Sequence, residues 1–151
     1  MKQADFYILP CADDDGKFDF LGKLLTRITG ADHQVFIYCN DEFSAQRLSD
    51  ALWNYKDTSF LANIIIGADE KPPAQTPTIT LGWNQQHKTD HQDVMINYCD
   101  EIPEGAASFE RVVELVTQQP EVLKRSRERY ISYKYQGFNI KNNDMRKRVS
   151  Q

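Results

Sequence analysis

Residues 34–53 read QVFIYCNDEFSAQRLSDALW. Gln34 to Cys39 form an apolar run rich in β-branched and aromatic side chains, the composition of a buried strand. Asn40 and Asp41 follow, and either can cap a helix by accepting a hydrogen bond from an orphan N–H of its first turn. Phe43, Ala45, Leu48, Ala51, Leu52 and Tyr55 then recur on or near one helical face, while Arg47 and Asp50 are left toward water. A strand that feeds directly into an amphipathic helix is a unit that packs helix on sheet, and the same alternation extends in both directions from it.

On the N-terminal side, ADFYIL at Ala4–Leu9 is a short apolar run that ends at Pro10 and an Asp-rich turn, as a first strand would. From Lys17 onward Phe18, Leu21, Leu24, Leu25 and Ile28 keep helical spacing, and Gly30 stands where helices commonly stop. On the C-terminal side, Phe60–Ile66 reads as a short strand and ADEKPPAQTP as a loop, because its prolines remove backbone donors. Thr78–Trp83 and Asp93–Cys99 read as two more strands. Ser108 is placed to cap a helix through about Thr117, and Pro120 to open a last helix running to about Gly137. The expected fold is a single α/β domain over residues 1–140, a mostly parallel or mixed sheet flanked by helices. Residues 141–151, KNNDMRKRVSQ, offer little to bury and are expected to form a basic, flexible tail.

With 151 residues and 40% hydrophobic content, the chain has material for one ordinary core. No stretch approaches the roughly 18–20 apolar residues of a membrane helix, and the opening MKQADFYILP lacks a signal-peptide apolar region. Cys11, Cys39 and Cys99 are odd in number and embedded in apolar segments, which suits reduced buried thiols better than a disulfide frame or a zinc site. A cytoplasmic, unexported chain is expected. The formal charge of −4 conceals a division: residues 1–123 carry 9 basic against 20 acidic side chains, and residues 124–151 carry 9 against 2. A basic segment on an acidic body suits nucleic acid or an acidic peptide equally.

An α/β chain invites a search for a phosphate loop, in which glycines let backbone N–H groups approach phosphate at a helix N-terminus. PCADDDGKFDF follows the first strand instead, with a single glycine and carboxylates that repel pyrophosphate. Asp13, Asp14 and Asp15 fail as an EF-hand loop because the twelfth loop position, counted from Asp13, is Leu24, so a solvated turn is the simpler reading. His87 and His91 lie in the loop sequence HKTDH with no adjacent general-base Glu. No Ser, Cys or Lys falls in a nucleophile motif, although a triad assembled from distant residues would escape this test. No metal, cofactor or catalytic residue is expected, and the sequence speaks against an enzyme, with a small hydrolase as the catalytic alternative.

The last helix carries more information. At about 100° per residue, Lys124, Arg127, Ile131 and Lys134 fall on one stripe with Tyr130 at its edge. Cations beside apolar surface suit an acidic peptide with a hydrophobic end, because charge-assisted hydrogen bonds hold the carboxylates while a pocket takes the anchor. From spacing alone, a solvated helix face with Tyr130 partly in the core is the simpler reading. Single-stranded nucleic acid is the rival ligand, since Tyr130, Tyr133, Tyr135 and Phe138 interleave with Arg127, Arg129 and Lys134 as they do where bases stack beside phosphate-binding cations. No helix-turn-helix, zinc-finger or aromatic ribonucleoprotein motif supports that rival. Trp53, Tyr55, Phe60 and Leu61 gather around a helix end and turn, either as a second interaction surface or as core.

Four segments together resemble the chi subunit family of bacterial DNA polymerase III: ADFYIL at 4–9, DEFSAQRLSDALW at 41–53, DTSF at 57–60 and RERYISYKYQGFNI at 127–140. They stand in the family's order over nearly the whole chain, and the terminal block, a basic Arg-x-Arg-aromatic helix leading into Gly-Phe, is the most specific. The resemblance implies a fold similar to nucleotide-binding folds without their phosphate loop. It implies a non-catalytic accessory subunit that binds psi, joins the clamp-loader complex through psi, and grips the acidic, Phe-ended C-terminal tail of single-stranded DNA-binding protein, so that contact with DNA is mainly indirect. By position, Arg127 and Tyr130 match the family's tail-binding arginine and aromatic, and either Lys124 or Arg125 its other cation. Lys134 extends the same basic face. Phe60 matches the aromatic of the psi-side surface, with Trp53 and Leu61 beside it. The chain departs from the family after this Phe, where a common Pro-His pair is Ala62-Asn63.

Overall fold

The computed structural model describes residues 2–31, 33–55, 63–65, 79–83, 93–99 and 108–146. In chain order the elements are β1 (Gln3–Ile8), α1 (Asp14–Gly30), β2 (Val35–Tyr38), α2 (Glu42–Trp53), β3 (Asn63–Ile65), β4 (Ile79–Gly82), β5 (Val94–Asn97), β6 (Arg111–Val116), α3 (Pro120–Tyr135) and β7 (Asn139–Asp144). The strands form one seven-stranded sheet in the order β3-β4-β2-β5-β6-β1-β7. Every neighbouring pair is parallel.

A parallel sheet is covered on both faces, so its inner strands read as continuous apolar runs rather than as an alternation. Successive side chains nevertheless divide between two cores. Tyr7, Val35, Ile37, Val94, Ile96, Val113 and Leu115 join Leu21, Leu24, Leu25 and Ile28 of α1 and Ala45, Leu48 and Leu52 of α2 on one face. Ala4, Phe6, Phe36, Tyr38, Met95, Val112 and Val116 face the other way, toward Tyr133 of α3 and Phe138. Two helices therefore cover one face, and α3 lies against the opposite one.

Local chemistry sets the helix ends. The Asp13–Asp15 cluster, expected as a solvated turn, is the start of α1: the Asp13 carboxylate accepts the Gly16 N–H at 2.8 Å, and Asp14 and Asp15 occupy the first turn, where negative charge favours the helix dipole. Asp41 does the same for α2 by accepting the Ser44 N–H at 2.7 Å. Gly22 lets α1 approach the chain beyond α2, because a Cβ there would lie 2.3 Å from the Tyr55 ring. Asn63, where the chain departs from the family's Pro-His pair, is buried, and its side chain exchanges hydrogen bonds with Ser49 of α2. That pairing ties β3 to the helix layer.

Two expectations fail. Residues 108–117 do not form a helix; 111–116 are β6, between β5 and β1 in the sheet. Val112, Val113, Leu115 and Val116 are buried on both faces, and a doubly buried strand carries no period-two signal. Residues 141–144, expected to begin the flexible tail, continue β7, which pairs in register with β1 from Gln3↔Asn139 to Ile8↔Asp144. This edge strand is polar, and its hold on the sheet comes from backbone hydrogen bonds that side-chain patterning does not reveal. Phe60–Ala62, Ile66, the proline-rich loop and both His87 and His91 lie outside the described residues. No helix among the described residues is long and apolar enough to cross a membrane.

Candidate functional site

The helix α3, PEVLKRSRERYISYKY, has too few apolar residues to dock by hydrophobic burial alone, and its buried positions are Arg129 and Tyr133. Both reach one group on the sheet. Glu114, in the middle of β6, is 0% exposed. Arg129 Nη1 donates to its Oε1 at 3.0 Å, Tyr133 Oη donates to its Oε2 at 2.6 Å, and Asn97 Nδ2 from β5 donates to Oε2 at 2.8 Å. Burial pushes the Glu114 carboxyl above the ordinary carboxylate range, while the Arg129 charge and the Tyr133, Asn97 and Arg129 hydrogen bonds act in the opposite direction. The Tyr133 hydroxyl is also raised, by its burial and then by the adjacent carboxylate. Tyr133 packs edge-on against Phe6 and Phe138, completing a mixed polar and aromatic lock.

Locking Arg129 and Tyr133 inward fixes the helix rotation, and a neighbouring stripe then overhangs the end of the sheet. A cavity of about 390 Å³ opens between α3 and β7. Phe6, Ile8 and Val116 form its apolar floor. Leu123, Ser126, Arg127, Tyr130 and Ile131 form the α3 wall, and Asn142 and Arg146 stand at the β7 side. Tyr130 is held over the floor by ring contact with Phe6 at 5.8 Å between centroids. Ile131 is 57% exposed, an unusual amount for a large aliphatic side chain beside a pocket. The Arg127 side chain is exposed and forms no ion pair or hydrogen bond among the described residues. The arrangement can accept a bulky apolar side chain and offer a guanidinium to an adjoining carboxylate.

Of the cations read from sequence, Arg127 lines this groove together with Tyr130, whereas Lys124, Arg125 and Lys134 are exposed on α3 outside its lining. Phe6, Ile8, Val116, Leu123, Ser126, Asn142 and Arg146 were not among the site residues read from sequence. Leu123 lies at helical spacing from Tyr130 and was legible as its neighbour; Asn142 and Arg146 join only because β7 pairs with β1. The aromatics proposed for base stacking separate: Tyr133 and Phe138 are core, and Tyr135 is 89% exposed beyond the groove. At the second candidate surface, Trp53 ends α2 at 44% exposure and Tyr55 is buried; Phe60 and Leu61 lie outside the described residues.

A second cavity, of about 480 Å³, lies beyond the C-terminal ends of β2 and β5, where α/β sheets commonly bind ligands. Asp14 and Asp15 stand on its wall across from Arg47, and no glycine lines it. Its lining carries two carboxylates and two cations, Lys17 and Arg47, and so is balanced in charge.

The model of the family described as DNA polymerase III chi subunit, HolC, matches residues 1–141. The chain is similar to DNA polymerase III subunit chi of Escherichia coli strain K12, with 31% identity over 147 residues covering 93% of this chain and 96% of the relative. It is similar to the subunit of the same name from Pseudomonas aeruginosa, with 28% identity over 138 residues covering 91% and 93% of the two chains. The Haemophilus influenzae subunit chi is 27% identical over 139 residues, 92% and 94% of the two.

Proposed function

Because the chain belongs to the chi subunit family of DNA polymerase III, we propose that it is a non-catalytic, cytoplasmic adaptor which grips the acidic C-terminal tail of single-stranded DNA-binding protein in the groove between α3 and β7. The observation that carries this reading is the junction of an apolar floor with the overhanging Tyr130 and with Arg127, whose side chain has no ion pair among the described residues. A Phe-ended tail brings an anchor for the floor and carboxylates for the rim. Lys124, Arg125 and Lys134 stand outside the groove on the same helix, where they attract an acidic chain without contacting its anchor. Trp53, Phe60 and Leu61 bind psi, and psi joins the subunit to the clamp loader. One surface held by the polymerase assembly and another holding a displayed tail give avidity gains of about 10²- to 10⁴-fold without any new contact.

Titration of a labelled peptide ending in Asp-Phe-Pro-Phe with a free carboxylate tests the reading. Micromolar binding that drops at least tenfold in Arg127→Ala, with little binding of single-stranded DNA, is the expected result; a tenfold loss corresponds to about 1.4 kcal/mol. Absence of peptide binding by the folded protein, or equal binding of DNA, overturns it in favour of a direct single-stranded nucleic-acid binder.

A further inference from the structure

A tail that is acidic as well as Phe-ended presents more than one carboxylate, and the α3 wall puts only one cation into the groove lining, Arg127. The facing wall supplies another. Arg146 lies just beyond β7, and its Nε and Nη2 donate to the two carboxylate oxygens of Asp144, each at 2.9 Å. Its backbone N–H also donates to Asp144 Oδ1 at 3.0 Å. This fork-on-fork pairing fixes the guanidinium in one plane and lowers the entropy lost when a further acceptor binds. A guanidinium has five N–H donors, so Nη1 and one hydrogen of Nη2 remain beyond those two bonds. The side chain is 51% exposed and lines the groove, while Asp144 is 32% exposed with both oxygens turned to Arg146. Asn142, one turn of the pleat earlier on the same side, adds an amide to that rim.

Resting on the tail-binding reading, we propose that Arg146, positioned by Asp144, is a second carboxylate-binding residue of the groove. Arg127 and Arg146 then hold two carboxylates of one peptide from opposite walls, with the apolar anchor between them on Phe6, Ile8 and Val116. The partner class narrows accordingly, from any peptide with a Phe end to one carrying both a free C-terminal carboxylate and an acidic side chain close to it. A basic rim on one wall alone would not make that distinction.

The test is a cycle of two proteins and three peptides. Wild type and Arg146→Gln are titrated with the parent Asp-Phe-Pro-Phe peptide, its C-terminal amide and its Asp→Asn version, with Arg127→Ala as reference and the thermal midpoint as a folding control. Arg146→Gln is expected to weaken the parent about five- to tenfold, the span of an exposed charged hydrogen bond. It is expected to weaken one of the two neutralised peptides by less than about twofold, which identifies the carboxylate it holds. Should Arg146→Gln bind all three peptides as wild type does, or lose the same factor on all three, the second site is refuted while the effect of Arg127→Ala leaves the tail-binding reading standing. Should the wild type bind none of them, both readings fall together.

Discussion

Glu114 has no exposure and three side-chain donors, from Arg129, Tyr133 and Asn97. Glu114→Leu removes the acceptor shared by all three donors and takes from buried Arg129 the carboxylate it pairs with, and breaking a buried pair in this way costs about 3–5 kcal/mol. An unfolding free energy lowered by that amount in urea titration, with weaker peptide binding through a loosened α3, is the expected outcome. The proton linkage has a definite sign. Burial raises the folded-state pKa above the unfolded value of about 4.3, so the folded protein holds this proton more tightly. The stability it contributes is fully present below about pH 4.3 and is lost as pH rises through the raised folded value. Urea titrations across that window should show stability falling with pH more steeply in the wild type than in Glu114→Gln; identical slopes would mean that the neighbouring charges cancel the effect of burial. In the sequence Glu114 falls inside the segment read as a helix through about Thr117, and nothing in FERVVELV says that the chain supplies an arginine, a tyrosine and an asparagine to meet it.

Among the elements, β7 shows how backbone hydrogen bonding overrides side-chain pattern. Its side chains are mostly polar and none is buried, yet the N–H groups of Asn139 and Met145 donate to the carbonyls of Lys2 and Ile8 at 2.9 Å each. The period of two assigns the same inward direction to the N–H of Lys141, and the outward direction to that of Asn142. Lys141→Pro removes a ladder bond to β1, whereas Asn142→Pro removes a donor that faces away. The first substitution is expected to lower the denaturation midpoint markedly and the second far less; equal effects would show that β7 is not held in this register. The helices were more legible. Apolar residues in α1 and α2 keep a 3.6-residue period, and Asp41 was one of two residues read as able to cap α2. In α3 the same method located the element and its cations, but the face it turned inward depended on Arg129 and Tyr133, which have polar partners that spacing cannot foresee.

The charge division becomes spatial at the scale of the whole molecule. The described part of the basic segment, residues 124–146, spans most of α3 and all of β7, the edge strand beside the groove, whereas the charged residues before it are mainly acidic. Exposed charges of this kind act within a Debye length of about 8 Å at physiological ionic strength. Raising salt is therefore expected to slow association of the acidic peptide more than it speeds dissociation, as stopped-flow mixing at several salt concentrations would reveal; a salt effect confined to dissociation would locate the charges inside the contact instead. The sequence by itself determined the α/β class, the helix periods, the absence of a phosphate loop, the family and the pairing of Arg127 with Tyr130, because each of these rests on local spacing or on a contiguous motif. Only the tertiary structure decided that 111–116 is a strand, that β7 closes the edge beside β1, and that Phe6, Ile8, Val116 and Arg146 share a cavity with α3. Those facts depend on which strands become neighbours, a long-range choice made by backbone pairing and by the buried partners of Glu114, and neither leaves a periodic trace along the chain.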